Sequence, residues 1–425
     1  MIKLALAALL PMTSDEAYYW VWSLHPQLSY YDHPPMVAWL FWLGQGTDFY
    51  GGMIRWPSVL VGHVTLAIWL RILAPFLSDT QRKAWLLLAL LSPLIGGSSL
   101  LVTPDLPVMF FYALALYLLL QWEKRSTAVL AMAFGLSMGF GFSSKYMMVL
   151  FPLSALPWLF FARGLLKKTI RHLHWIVLGA IIGAMPVWLW NLQNDLVSLR
   201  FQVDHGLGRK WKPSWTLHYI GAQIGLIFPL ILYWATRARR QVPVLFHFLA
   251  WTPLIFFFFT TFRGYVEANW PIVAYAPLFV LAVVSMPRNR SAVHLTAIIW
   301  GTIITALAAI IIIEPGWART TKFREFHQFD QVIEATRDLS PVYARSYQMA
   351  AKMHFELRRP IYKLKGMNRK DFYDYLPDSA PTANRYYFVA EKGDKLPIEY
   401  SANGHKVIDK QEIDAKFQIW TVSAP

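Results

Sequence analysis

The sequence predicts an all-α polytopic membrane protein with about 10–11 transmembrane helices, followed by a small C-terminal soluble α/β domain. Three observations predict it. Charged residues make up only 15% of the 425-residue chain and hydrophobic ones 56%, whereas soluble domains carry about 25% charge. Ten apolar stretches recur at near-spanning length, at 53–74, 84–101, 105–121, 127–143, 146–162, 173–190, 217–236, 243–261, 270–286 and 294–313. The connectors between them alternate in charge. Every second one is basic: Arg82–Lys83, Lys124–Arg125, Arg163/Lys167/Lys168/Arg171, Arg237/Arg239/Arg240 and Arg288/Arg290, with only Asp79 and Glu123 as acids. By the positive-inside rule these connectors are cytoplasmic. The remaining loops, and everything after Glu314, then lie on the outer side. Much of the net charge of +15 is thereby topology. The cytoplasmic loops are too short for a nucleic-acid module, so no nucleic-acid partner is expected.

The elements follow in order. Residues 4–10 are apolar but stop at Pro11. Either they are the second half of a first span, raising the count to eleven, or they form a short anchor. Residues 11–52 read as a first outer loop with two interfacial helices, 15–25, carrying Tyr18, Tyr19 and Trp22, and 35–43. Gly96–Gly97 and Thr103–Pro104–Asp105 divide 84–121 into two spans. Residues 316–425 carry 18 basic and 14 acidic residues and strand-like runs at Tyr386–Ala390 and Phe417–Val422. The division is a membrane domain over 1–314 and a soluble outer domain over 315–425.

No cysteine is present, which excludes disulfides and thiolate metal chemistry. The chain lacks Walker A, dinucleotide-binding, HExxH and CxxC motifs, against an ATP-driven pump or a nucleotide-sugar enzyme with a cytosolic catalytic domain. The unusual polar residues cluster at four outer-face positions. Thr13–Ser14–Asp15–Glu16 opens a helix, where the acids either suit the cap and dipole or supply a general base. Tyr30–Tyr31–Asp32–His33–Pro34–Pro35 is a rigid turn whose Asp32 is either a cap or a divalent-metal ligand. Lys145, in Ser143–Ser144–Lys145–Tyr146, either snorkels or presents a point charge to a lipid phosphate. The loop 191–215 holds Arg200, Asp204, His205, Arg209, Lys210 and Lys212. It is either a wet loop or a metal ligand beside an anion-binding cluster. Arg263 and the run Tyr265–Pro271, with Glu267 and Asn269, lie on the same side. Acids, a candidate metal pair and cations at one bilayer face describe a reaction on a lipid phosphate, with a polyprenyl-phosphate sugar as the fitting donor. A transporter would place its charges at the midplane in repeated halves; here they lie at the boundary, and no repeat is found.

With these motifs in hand, the chain resembles the bacterial GT-C polyprenyl-phosphate-sugar-dependent glycosyltransferases. That group includes the aminoarabinose transferase of lipid A, protein O-mannosyltransferases and rhizobial lipopolysaccharide galacturonosyltransferases. The matching stretches are T-S-D-E-A-Y-Y-W at 13–20, Y-Y-D-H-P-P at 30–35, T-P-D-L-P at 103–107, S-S-K-Y at 143–146, N-D-L-V-S-L-R-F-Q-V-D-H-G at 194–206 and E-A-N-W-P at 267–271. The resemblance implies an inverting transferase of the inner (plasma) membrane with an outer, periplasmic active site. It would move a sugar from a polyprenyl (undecaprenyl) phosphate to a lipid A, lipopolysaccharide or other envelope glycan acceptor. A protein acceptor is the runner-up, and a lipid or sugar transporter follows. It casts Asp15, with Glu16 beside it, as the catalytic carboxylate. His33, Lys145, Arg209, Lys210 and Asn269 become donor- and phosphate-binding residues. Asp32, Asp204 and His205 become ligands of a divalent ion (Zn, Mg or Mn), with no nucleotide required.

Overall fold

The computed structural model describes every residue apart from 49, 163, 208–209, 239–240, 288–289 and 377–379, and apart from the side chains of 204–207. In chain order the helices are α1 (Ile2–Leu9), α2 (Ser14–Leu24), α3 (Met36–Gly44), α4 (Trp56–Leu73), α5 (Asp79–Leu91), α6 (Asp105–Arg125), α7 (Ala128–Phe142), α8 (Leu150–Phe161), α9 (Leu165–Gln193), α10 (Val197–Leu207), α11 (Pro213–Ile227), α12 (Pro229–Thr236), α13 (Val244–Thr260), α14 (Tyr275–Ser285), α15 (Ser291–Ile313), α16 (Pro315–Thr320), α17 (Asp330–Ala335), α18 (Tyr347–Leu357) and α19 (Ile398–Ala402). Five strands follow α17 or lie among the last helices: β1 (Val342–Ala344), β2 (Tyr362–Lys363), β3 (Arg385–Glu391), β4 (Lys406–Glu412) and β5 (Phe417–Ser423). The chain forms two compact units. The first comprises 1–7, 27–40 and 55–307; the second comprises 8–26, 41–54 and 308–425.

In the first unit each of the ten apolar stretches contains a helix. Among the described residues, four helices are long and apolar enough to cross a membrane, or five if the pair α11 and α12 is counted as one span. That pair was expected as a single span over 217–236 but is bent by 91°. Pro229 cannot donate a backbone bond and its ring crowds the preceding turn. Phe228 accordingly turns to φ 74°. The stretch 84–101 also breaks early: α5 stops at Leu91, Ser92 caps it, and Pro93 follows. Helix α9 leaves Ile170, Leu173, Val177, Ile181, Met185 and Trp188 exposed. An apolar row of that length on a 29-residue helix is the surface that lipid covers.

Helices α7 and α9 pack with their backbones almost touching. A Cβ on Gly135 would lie 2.0 Å from the carbonyl oxygen of Ile176, and one on Gly139 would lie 2.3 Å from that of Ala180. Gly179 and Gly183 of α9 answer with the same four-residue spacing. Without a solvent-driven hydrophobic effect between spans, such small residues let dispersion contacts accumulate. The C-terminal ends of α7 and α9, which lead to Lys145 and to α10, are thereby fixed.

The second unit holds a five-stranded sheet of order β2-β1-β3-β5-β4. Strands β1 and β2, and β1 and β3, pair in parallel, whereas β3–β5 and β4–β5 are antiparallel. Both strand-like runs read from the sequence are there, Phe388 facing Trp420 across β3–β5 with ring centroids 5.5 Å apart. Lys363 is fully buried and holds Asp371 at 2.7 Å and Asp374 at 2.5 Å. Helix α2 corrects the expectation of an interfacial helix. Tyr18, Tyr19, Trp20, Val21 and Trp22 are all buried. Tyr18 meets Tyr347 at 4.3 Å, Trp20 meets Phe355 at 5.1 Å, and the Tyr18 hydroxyl accepts the Phe372 amide at 2.9 Å. Aromatic residues all round a short helix leave no face for water, and protein rather than lipid covers them. On α3 Trp42 and Leu43 do remain exposed.

Candidate active site

In the first unit the site is built around a carboxylate to which the sequence reading gave no role. Asp105 is the first residue of α6 and is 2% exposed. Its Oδ1 accepts from Lys145 Nζ at 2.6 Å, and its Oδ2 accepts from Asn269 Nδ2 at 2.6 Å and from the Thr103 hydroxyl at 3.2 Å. Three separate stretches of chain meet there: the start of α6, the turn after α7 and the turn before α14. The position suits the charge, because helix N-termini favour anions. The charge in turn holds the two predicted phosphate-binding residues, Lys145 and Asn269, in one place. The available signal was the T-P-D motif itself. An acid opening an otherwise apolar span must find a partner, and the basic residue on the turn after α7 is Lys145.

Lys145 has little freedom. The Ser144 hydroxyl donates to Phe140 O at the end of α7 at 2.8 Å, and that of Ser143 ties this end to α9 by donating to Gly183 O at 2.8 Å. The next residue, Tyr146, shares a 2.8 Å hydrogen bond with Ser198 of α10. Asn269 is steadied from below. Gln223 donates to the carbonyl of Ala268 at 3.0 Å and accepts from the Tyr275 hydroxyl at 2.7 Å.

The Asp32 turn belongs to the same end of this unit. Met36 N donates to Ser143 O at 3.2 Å, Gln202 Nε2 donates to Asp32 O at 2.5 Å, and the Tyr31 ring lies 4.9 Å from Phe201. Asp32 is 4% exposed. Helix α10 thus clasps the Y-Y-D-H turn, and Asp204 and His205 continue that helix. Their side chains, and all of Arg209, lie outside the described residues. Lys210 is exposed. Among the described residues no group of three or more His, Asp or Glu forms a metal cluster.

Asp15 and Glu16 belong to the second unit. Thr13 caps α2: its hydroxyl accepts from Glu16 N at 3.2 Å, and Glu16 Oε2 accepts from Thr13 N at 3.2 Å. Glu16 is fully buried and its carboxylate closes this reciprocal cap. Ser14 ties the first turn to 325–328, donating to Glu325 O at 3.2 Å and accepting from Gln328 Nε2 at 2.9 Å. Asp15, between the two, is half-buried.

Residues 32–190 match the dolichyl-phosphate-mannose-protein mannosyltransferase family. The chain is 28% identical over 286 residues to the lipid A galacturonosyltransferase RgtD of Rhizobium johnstonii, a match covering 63% of this chain and 59% of that protein. It is similar in fold to ArnT from Cupriavidus metallidurans, both bound to undecaprenyl phosphate and in the apo state. The TM-score is 0.68 in each case, at 12% and 13% identity, over 99% of this chain and 96% and 95% of those chains. Its helices of spanning length and apolarity make the chain an integral membrane protein.

Proposed function

We propose that the protein is an inverting glycosyltransferase that moves a sugar from a polyprenyl phosphate to lipid A or a related envelope glycolipid, on the outer face of the bacterial inner membrane. The observation that supports this most is the buried Asp105 holding Lys145 and Asn269 at the ends of apolar helices. A lipid phosphate approaching along those helices meets an ammonium already in position, and a fixed cation stabilises the charge that develops on the leaving phosphate. His33, Arg209 and Lys210 are proposed to add to this phosphate contact. Asp15 is proposed to take the proton from the acceptor hydroxyl, whose oxygen attacks the anomeric carbon as the bond to phosphate breaks. Glu16 fixes the turn that presents Asp15. The similarity to RgtD supports a lipid A acceptor.

A divalent ion is proposed at Asp32, Asp204 and His205. Two carboxylates and an imidazole suit Zn or Mn, and the clasp between Asp32 and Gln202 brings the turn to the helix that carries the other two ligands. Such an ion would neutralise phosphate charge. Metal content of the purified protein, compared with His205→Ala, tests it: equal content in both removes the site.

The function is tested by lipid profiling of cells carrying the wild-type gene or Asp15→Asn at matched protein levels. Loss of one sugar increment from a glycolipid, with build-up of its polyprenyl-phosphate donor, is expected. The increment lost from a glycoprotein instead would establish the protein-acceptor reading. No change in either class would refute the transferase reading.

A further inference from the structure

The second unit contains a polar cavity of about 240 Å³. Asp15 lines it together with Arg324, Gln328, Phe329, Gln348 and Asn368. One wall is a locked ion network. Arg345 holds Glu391 at 3.0 Å and Asp394 at 2.7 Å, and Lys416 reaches the same Glu391 carboxylate at 3.1 Å. Two further lining residues are also tied together, Gln328 donating to Ser14 at 2.9 Å.

The lining identifies the ligand chemistry. Its cations, Arg324, Arg345 and Lys416, are matched by the acids Asp15, Glu325 and Glu391. A polyanion such as a pyrophosphate would meet as many acids as bases. An apolar chain would desolvate both without offering either a partner. A hydroxyl-rich ring meets neither obstacle. Each hydroxyl both donates and accepts, so carboxylates, guanidinium and the amides of Gln328, Gln348 and Asn368 all find partners. Phe329 adds an apolar contact to the lining.

We propose that this cavity binds the saccharide head of the acceptor glycolipid and sets one of its hydroxyls against Asp15. The proposal rests on the reading of Asp15 as the base and extends it by naming the surface that orients the acceptor. Arg324, Gln348 and Asn368 are then specificity-determining residues of the soluble domain.

The test uses the full chain in lipid nanodiscs with two ligands, the deacylated glucosamine disaccharide of lipid A and intact lipid A. The disaccharide is expected to bind saturably and to be displaced by intact lipid A. In the Arg324→Ala/Gln348→Ala double variant its Kd rises about tenfold or more, for two lost polar contacts. The KM for lipid A rises with it, while the KM for the polyprenyl-phosphate donor stays within about twofold. An unchanged disaccharide Kd in a folded double variant overturns the proposal. So does disaccharide binding that intact lipid A does not displace, since the cavity would then serve a free sugar. Wild-type protein that transfers no sugar, yet binds the disaccharide through Arg324 and Gln348, would sink the transferase reading and leave the cavity assignment standing. Active wild type with an unaltered acceptor KM in the double variant would do the reverse.

Discussion

Replacing Asp105 by Asn is the sharpest perturbation of the site, because it changes one atom and one charge. The carboxylate accepts from Lys145 and Asn269, each at 2.6 Å, and is 2% exposed. An amide of the same shape keeps one acceptor oxygen, so it can satisfy Lys145 or Asn269 but not both. The lost bond is charge-assisted, of a kind that contributes about 1.5–3 kcal/mol. The ammonium left behind is 13% exposed on its side chain, so water compensates it only in part. If that loss falls on the orientation of Lys145 in the transition state, kcat/KM drops roughly 10- to 150-fold, at one decade per 1.36 kcal/mol. The assay is sugar transfer in proteoliposomes, run alongside thermal unfolding to show that the variant is folded. A cycle with Lys145→Met isolates the pair, with an expected coupling of about 1.5–3 kcal/mol. Folded Asp105→Asn with activity within about threefold of wild type, or effects additive within about 0.5 kcal/mol, would refute the view that Asp105 acts by holding Lys145.

Three further outcomes are expected. Gly139→Val puts a branched side chain where a Cβ alone would sit 2.3 Å from the Ala180 carbonyl; α7 and α9 must separate, and detergent-solubilised protein should unfold several degrees lower, a wild-type melting profile being the contrary result. Lys363→Ala leaves the fully buried Asp371, and the partly exposed Asp374 beside it, without their cation and should cost the second unit about 3–5 kcal/mol, read from protease susceptibility of residues 308–425; a loss below about 1 kcal/mol would contradict it. His354, packed edge-on to Trp20 at 5.1 Å, is pushed down to about 4 by burial, with His25 and Arg358 adding repulsion. A histidine lowered in the folded state loses its stabilising contribution as pH falls from about 6.5 toward 4, by about 3 kcal/mol in all. Burial pushes the Asp371 carboxyl the other way, up to about 6, so the measurement is the pH dependence of the difference between wild type and His354→Phe, in which the Asp371 contribution cancels; a difference flat across that window would exclude the histidine.

Most of the helical plan was legible because spans announce themselves by length and apolarity. Their breaks were less so. The stop at Leu91 and the bend at Phe228–Pro229 depend on single prolines inside runs that hydropathy averages over. The site was legible in part. Lys145 and Asn269 stood out as polar residues at the ends of apolar runs, but Asp105 was read as turn punctuation because its partners lie 40 and 164 residues away. Likewise, Tyr18, Tyr19 and Trp22 have the spacing of an interfacial helix. Burial by Tyr347, Phe355 and Phe372 is a long-range fact that local periodicity does not carry.

The burial of α2 also has a consequence for biosynthesis. Its aromatic surface is covered by residues of α18 and beyond, and roughly 320 residues separate Leu24 from Tyr347. At about 5–20 residues per second on the ribosome, Asp15 and the aromatic turn behind it wait on the order of tens of seconds for their cover. During that interval Tyr18, Trp20 and Trp22 need a temporary apolar host. A chain stalled or cut before residue 347 would leave that host occupied and the candidate base without its scaffold.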